Sequence, residues 1–156
     1  MIFDTHAHYD DRQFDDDRKA LLNSMPDGGV EAIVDVGSDI ASWDKILKLT
    51  ESYPFVYGAI GVHPDEVGEL DEEQFQRMKE LLKKEKIVAV GEIALDFYWN
   101  KEEHDVQKKW FIRQLELARE LDMPIIIHSR EAAADTLEIM KEHVQGLSGV
   151  IHCYSY

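Results

Sequence analysis

The chain has 156 residues, of which 44% are hydrophobic, and this size and composition fit one folded domain and exclude a disordered chain. Its 32 acidic and 17 basic side chains leave a formal net charge of -15. Nucleic acids and anionic membranes are therefore repelled unless bound cations or a local basic patch reverse the field. Cys153 is the only cysteine and no apolar run is long enough to span a membrane, which favours a reducing, cytoplasmic location without membrane contact.

Aliphatic runs alternate with amphipathic segments along the whole chain. The aliphatic runs predict six strands, at residues 1–3, 30–36, 55–60, 87–90, 125–127 and 149–151. Helical spacing of apolar residues predicts five helices between them, around residues 18–22, 40–49, 72–82, 110–121 and 131–143. Ser38 or Asp39 is the expected N-cap of the second helix, and Asp71 that of the third. Strands this uniformly apolar predict an α/β fold with a parallel sheet covered by helices on both faces.

Side chains of the metal-ligating type recur where the predicted strands end. His6 and His8 follow the first strand, and because residues i and i+2 of a strand face the same side, both imidazoles can point to one position. Strands three to six each end in a single residue of this type, His63, Glu92, His128 and His152 respectively. In a parallel barrel all the carboxyl ends of the strands open onto one face. The sequence therefore predicts a metal site on that face.

A carboxylate among histidines suits a pair of divalent ions. Two ions about 3.5–4 Å apart, bridged by a carboxylate, activate water near neutral pH and bind a phosphoryl or carbonyl oxygen. Glu92 is the candidate bridge, since the apolar strand before it places it at the mouth of the barrel. His63 lies in the rigid turn 61–64 (GVHP), where it either donates a proton or contacts a phosphate, or hydrogen-bonds within its own loop.

Four further side chains near the predicted strand ends have two interpretations each. Asp96 either orients a histidine or acts as an acid–base group, or it caps the next loop. Arg130 either binds a substrate phosphate or forms a salt bridge at the start of a helix. Tyr98 and Trp99 either stack on a nucleobase or pack in the wall of the domain.

Five segments of the chain together resemble the TatD family, the metal-dependent deoxyribonucleases of the amidohydrolase-like barrels. They are residues 4–8 (DTHAH), 61–64 (GVHP), 91–96 (GEIALD), 124–130 (PIIIHSR) and 152–155 (HCYS), in the family's order. The resemblance implies a TIM-type (β/α)8 barrel. Residues 1–156 would form about six of its eight β/α units, as a single partial domain.

The resemblance also implies a centre of two divalent metal ions, usually Mg²⁺, Mn²⁺ or Zn²⁺. Glu92 would bridge the two ions. Each ion would take two histidines, His6 and His8 on the first and His128 and His152 on the second.

By the same resemblance, His63 would line the site of the substrate phosphate. The chain departs from the family at Ala94 and Tyr156, where members usually have glycine. Barrels of this type need about 250 residues, so the last two strands and an aspartate ligand on strand eight would be missing. We therefore expect a C-terminally truncated chain whose open sheet edges favour self-association.

Three functions are consistent with these residues. The leading hypothesis is hydrolysis of the phosphodiester bonds of DNA by a metal-activated water, with His63, Glu92 and Asp96 as catalytic residues. The second keeps the metal centre but cleaves amide or ester bonds, as a deacylase does, because fold and ligands do not exclude this chemistry. The third is a truncated fragment with impaired catalysis.

Overall fold

The computed structural model describes residues 1–99 and 101–156, in which strands and helices alternate as the sequence predicts. The strands are β1 (Ile2–Ala7), β2 (Val30–Val36), β3 (Val56–Ile60), β4 (Ile87–Asp96), β5 (Ile125–Arg130) and β6 (Gly149–Ile151). The helices are α1 (Arg18–Ser24), α2 (Ser42–Ser52), α3 (Glu72–Leu81), α4 (His104–Glu120) and α5 (Ala133–His143). Two 3-10 turns, Arg12–Phe14 and Pro64–Glu69, lie in the loops after β1 and β3.

The six strands form one parallel sheet in the order β1-β2-β3-β4-β5-β6, so each strand pairs with the next along the chain. Sequential parallel strands joined through helices are the repeating units of a (β/α) barrel. Because all strands run in one direction, their carboxyl ends lie along the same edge of the sheet. β1 and β6 are its two outer strands.

Apolar side chains pack on both faces of this sheet. One face carries a cluster made of strand residues alone: Val34, Val36, Ala59, Ala89 and Ile126. On the other face, strand residues such as Ile60 and Val90 pack against the helices, where Trp43, Phe111 and Leu115 are fully buried. This burial on two sides is why the strands are aliphatic at nearly every position.

Three strands extend further than predicted. β1 continues to Ala7, β4 continues through Gly91 to Asp96, and β5 continues to Arg130. Glycine is depleted in strands, which suggested an end at Gly91. In the structure, however, a Cβ on Gly91 would lie 2.6 Å from the Cβ of Ile126, so glycine is needed for β4 and β5 to approach each other. The candidate ligands of β4 and β5 therefore lie within strands and not after them.

The predicted N-cap of α3 is correct, whereas the predicted start of α2 lies before the residue at which this helix begins. Asp71 caps α3, because its Oδ1 accepts a hydrogen bond from the backbone N–H of Gln74 at 2.8 Å. Asp39 binds the backbone N–H of Ser42 in the same way at 2.6 Å, but α2 begins only at Ser42. Within residues 1–99 and 101–156, no helix combines the length and the apolar character that crossing a membrane requires.

Asp35 of β2 is a carboxylic acid in the core, with no exposed surface. Its Oδ1 accepts a hydrogen bond from the backbone N–H of Tyr9 at 2.6 Å, and its Oδ2 has no partner among the described residues. Burial, and then the negative charge of Asp10, raise the pKa of Asp35 from 3.8 to about 7.

We expect Asp35→Asn to flatten the dependence of stability on pH. Between pH 3.8 and about 7, folded Asp35 keeps a proton that the unfolded chain has released. The free energy of unfolding therefore falls as the pH rises through this window, by at most about 1.4 kcal/mol per pH unit. Asparagine stays neutral, so the variant should gain stability relative to the wild type over the same window.

Urea unfolding at about pH 5 and about pH 8 measures this difference. Asp16→Asn, which changes an exposed aspartate, is the matched control and should leave the pH dependence as it is. A stability difference between the wild type and Asp35→Asn that is equal at both pH values would contradict the expectation.

Candidate metal centre

β1 and β4 bring three candidate ligands together at the carboxyl edge of the sheet. His6 lies in β1, His8 follows it, and Glu92 lies in β4. The Nε2 atom of His6 is 3.1 Å from the Nε2 atom of His8 and 3.3 Å from Oε2 of Glu92. The Nε2 atom of His8 is 3.8 Å from the same oxygen. The two imidazoles thus point to one position, as their spacing in the sequence predicts.

The hydrogen bonds of this first group fit a divalent cation. Nδ1 of His8 lies 2.8 Å from the carbonyl oxygen of Val36, and because a carbonyl only accepts, Nδ1 carries the proton. The Nε2 atom of His8 therefore presents a lone pair towards His6 and Glu92. Two imidazoles and a carboxylate with converging atoms are a donor set that Zn²⁺ and related divalent ions bind.

A second group forms around His128 in β5. Its Nδ1 lies 2.9 Å from Oε1 of Glu92, and its Nε2 lies 3.0 Å from Oδ2 of Asp96. The ring of His63 packs on that of His128, with ring centroids 4.3 Å apart, and one ligand atom each of His63, Glu92 and His128 lies within 4.8 Å of the others. Glu92 belongs to both groups, with one oxygen towards each.

His152 is less close to the second group than expected. Its Nε2 lies 4.0 Å from Oε1 of Glu92, and its ring stacks on that of His6, with centroids 3.6 Å apart. His152 follows β6, a three-residue strand with exposed side chains that has only β5 as a neighbour. In the described part of the chain, His63 therefore occupies the place beside His128 that the sequence predicts for His152.

The electrostatics of the site favour an ionised carboxylate between histidines. Glu92 is 4% exposed, and burial alone would raise its pKa. The hydrogen bonds from His128 and His6 outweigh burial and hold the pKa of Glu92 far below its usual range. Burial lowers the pKa of His128, but its bonds to Glu92 and Asp96 outweigh this effect as well, so the pKa of His128 is raised.

His63 is held by the turn that follows β3. Its Nδ1 accepts a hydrogen bond from the backbone N–H of Asp65 at 3.2 Å, which is the contact within its own loop that the sequence left open. Burial, and then the charge of His128, lower the pKa of His63 to about 4. His63 is therefore neutral at neutral pH, and its proton is on Nε2, where it can still be donated to a substrate oxygen.

Two buried glutamines of α4 support the site, and the sequence patterns did not reveal them. Gln114 accepts a hydrogen bond from the backbone N–H of Val62 at 2.9 Å and donates one to its carbonyl oxygen at 3.3 Å. Gln107 holds the backbone of Asp96 in the same way, at 2.9 and 3.0 Å. Both are at most 1% exposed. The available signal was their spacing, since Gln107 and Gln114 lie three or four residues from Trp110 and Phe111 and so share the apolar face of α4, where buried amides need partners.

One cavity of about 410 Å³ opens over both groups. Its wall contains the candidate ligands His8, His63, Glu92, His128 and His152. Its other acidic residues are Asp10, Asp11, Asp39, Asp65 and Glu66. With this many carboxylates, the cavity accepts a polyanionic substrate only when cations are bound in it.

Arg130 lies at the end of β5, outside the wall of this cavity. Its guanidinium carbon is 3.9 Å from the ring centre of Tyr98 and 5.4 Å from that of Trp99. Among the described residues it forms no salt bridge at a helix start. Tyr98 and Trp99 are 54% and 58% exposed, so the interpretation that they pack in the wall of the domain is wrong.

A parallel sheet with histidines and carboxylates at its carboxyl edge is the arrangement of metal-dependent hydrolases built on barrels. The chain belongs to the TatD family, because the family model described as TatD related DNase matches residues 3–156. This confirms the predicted family.

Solved structures confirm the predicted α/β fold with about six of the barrel's units. The crystal structure of YjjV, a TatD homolog from Escherichia coli K12, matches with a TM-score of 0.89 at 32% identity, over 99% of this chain and 61% of that chain. A TatD family hydrolase from Entamoeba histolytica matches with a TM-score of 0.91 at 23% identity, over 99% and 58% of the two chains.

Two curated relatives carry functional names. YabD of Bacillus subtilis, described as an uncharacterized metal-dependent hydrolase, is 40% identical over 99% of this chain and 61% of its own length. A protein of Pantoea vagans named 3'-5' ssDNA/RNA exonuclease TatD is 33% identical over 99% of this chain and 60% of its own length. The chain thus spans about three fifths of the length of these relatives.

We expect Mn²⁺ or Zn²⁺ to raise the melting temperature of the protein, and Glu92→Gln to remove most of this increase. A cation that binds only the folded state stabilises it by mass action, by about 2.7 kcal/mol at 100 times its Kd. A glutamine amide offers one neutral oxygen, and so cannot serve both histidine groups. Differential scanning calorimetry with and without the cation measures the effect.

The control for this experiment is Glu85→Gln, since Glu85 is exposed and precedes β4 at the opposite end of the strand from the site. This variant should respond to the cation as the wild type does. An equal response from Glu92→Gln would mean that the cation binds elsewhere.

Proposed function

We propose that the protein is a divalent-metal-dependent hydrolase that cleaves the phosphodiester bonds of DNA. The observation that carries the proposal is Glu92, a buried carboxylate with one oxygen towards each histidine group. When bound, divalent cations lower the pKa of water and offset the charge on phosphoryl oxygens. Family membership and the exonuclease name of the Pantoea vagans relative support nucleic acid as the substrate.

In this proposal the two histidine groups hold two divalent ions, Mg²⁺, Mn²⁺ or Zn²⁺. His6 and His8 would hold the first ion, and Glu92 would contribute an oxygen to each of the two ions. His128 and His152 would hold the second, and Nε2 of His152 lies 4.0 Å from Oε1 of Glu92. The support is the convergence of His6, His8 and Glu92 in one group and of Glu92 and His128 in the other.

The remaining site residues position the substrate and the ligands. His63 donates its Nε2 proton to a phosphate oxygen, since its Nδ1 is engaged with Asp65 and the ring is neutral. Asp96 positions His128, because its Oδ2 faces that ring and its Oδ1 caps the following loop. This role replaces acid–base catalysis by Asp96. Arg130 contacts the substrate outside the cavity.

The acidity of the chain limits which DNA can bind. A net charge of -15 and an acidic cavity rim repel a backbone that lies across the surface, except where cations are bound. We therefore propose strand ends or single strands as substrates, and weak non-specific binding of duplex DNA.

We expect Glu92→Gln to reduce cleavage of a labelled oligonucleotide with Mg²⁺ or Mn²⁺ by more than about 100-fold, since losing a group that only supports a ligand already costs up to that much. Product analysis on denaturing gels measures the rate. Glu85→Gln should cleave as the wild type does. Unimpaired cleavage by Glu92→Gln would remove Glu92 from the centre.

The same preparations separate the other candidate functions. Cleavage of an aryl ester or an N-acyl amino acid, without cleavage of DNA, would favour the amide or ester hydrolase. Cleavage of neither DNA nor these compounds would favour the third candidate, a fragment with impaired catalysis. One observation favours this candidate: the outer strands carry exposed apolar side chains. Phe3 of β1 is 59% exposed and Val150 of β6 is 51% exposed. Self-association through these edges is part of that proposal, and sedimentation of the purified protein tests it.

A further inference from the structure

Two exposed aromatic side chains lie beside the candidate metal centre and have no part in the chemistry proposed so far. Tyr98 and Trp99 are in the loop between β4 and α4, and more than half of each side chain is in contact with solvent. The other two tryptophans of the chain, Trp43 and Trp110, are 0% and 5% exposed. Large aromatic surfaces next to a site, kept out of the core, are available to a ligand.

The carboxylate of Asp96 connects the backbone of Tyr98 and Trp99 to the site. Oδ1 of Asp96 accepts hydrogen bonds from the backbone N–H groups of Tyr98 and Trp99, at 2.9 and 3.1 Å. Oδ2 of the same side chain lies 3.0 Å from Nε2 of His128. The backbone at Tyr98 and Trp99 therefore keeps a defined position relative to the candidate ligands.

Arg130 adds a positive charge to the aromatic surface. Its guanidinium lies over the ring of Tyr98 at 3.9 Å, and the rings of Tyr98 and Trp99 meet edge to face at 4.9 Å between centroids. In residues 1–99 and 101–156, no carboxylate forms a salt bridge with Arg130. In a chain with a net charge of -15, this side chain can therefore attract an anion locally.

We propose that Trp99, flanked by Tyr98 and Arg130, is a stacking platform for a base of single-stranded nucleic acid, with Arg130 facing an adjoining phosphate. A nucleobase stacks on exposed aromatic rings whatever its identity, and only an unpaired base has a free face to offer. The inference rests on the proposed function, because it assumes that the neighbouring phosphodiester lies in the metal centre. The inference explains why this acidic protein would select single strands, since only their unpaired bases can stack on the platform.

Trp99 itself reports on this contact, since it is the exposed tryptophan and stacking quenches indole fluorescence. We would titrate the protein, with Mn²⁺ present, with a cleavage-resistant phosphorothioate dT oligonucleotide and with an abasic oligonucleotide of equal length. The dT strand should quench the emission and the abasic strand should not. Trp99→Ala should abolish the quenching and weaken dT binding about ten- to a hundredfold in fluorescence anisotropy.

Two variants complete the design. Trp99→Phe keeps an aromatic face and should recover most of the affinity for dT. Phe3→Ala removes an aromatic side chain of matched exposure, 59%, near the opposite end of the sheet, and should leave both readouts unchanged.

The outcomes separate this inference from the proposed function. Equal affinity of the wild type and Trp99→Ala for dT would overturn the platform, and if that protein still cleaves DNA, the nuclease proposal stands. Quenching by dT without any cleavage would keep the platform and overturn the nuclease. Quenching by duplex DNA as strong as by a single strand would overturn the choice of single strands. Neither quenching nor cleavage would overturn both.

Discussion

A buried, ionised carboxylate shared by two groups of histidines is the interaction on which the rest of the site depends. Burying Glu92 without partners would favour its neutral form, but hydrogen bonds from His6 and His128 keep it ionised. Glu92 reaches these partners because β4 continues past Gly91, where β5 leaves no room for a Cβ. The path of β4 past Gly91 therefore also determines where the negative charge of the site lies.

Helix α4 connects the outer layer of the domain to this site. Its apolar face packs on the sheet. Two buried glutamines on this face, Gln114 and Gln107, hydrogen-bond backbone groups after β3 and at the end of β4 that have no backbone partner there. The loops after β3 and β4 carry His63 and the aromatic pair. Rigid support of this kind is what precise placement of functional groups requires, since small displacements weaken both metal binding and catalysis.

Charge is distributed unevenly around the site. The cavity over the candidate ligands is acidic and favours cations, whereas Arg130 provides a positive charge just outside it. A phosphodiester backbone can therefore meet cations in the cavity and a guanidinium beside it. This arrangement reconciles the acidity of the whole chain with an anionic substrate.

The sequence by itself determined the parallel α/β sheet, the family, and the common direction of His6 and His8, because these follow from local periodicity and short motifs. The tertiary structure decided which distant side chains meet. It placed His63 beside His128 and stacked Arg130 on Tyr98. It also gave Ala94 a φ of 120°, a backbone conformation that glycine adopts more readily than alanine. Such contacts join residues that are far apart in the sequence and depend on loop conformation, which local patterns do not encode.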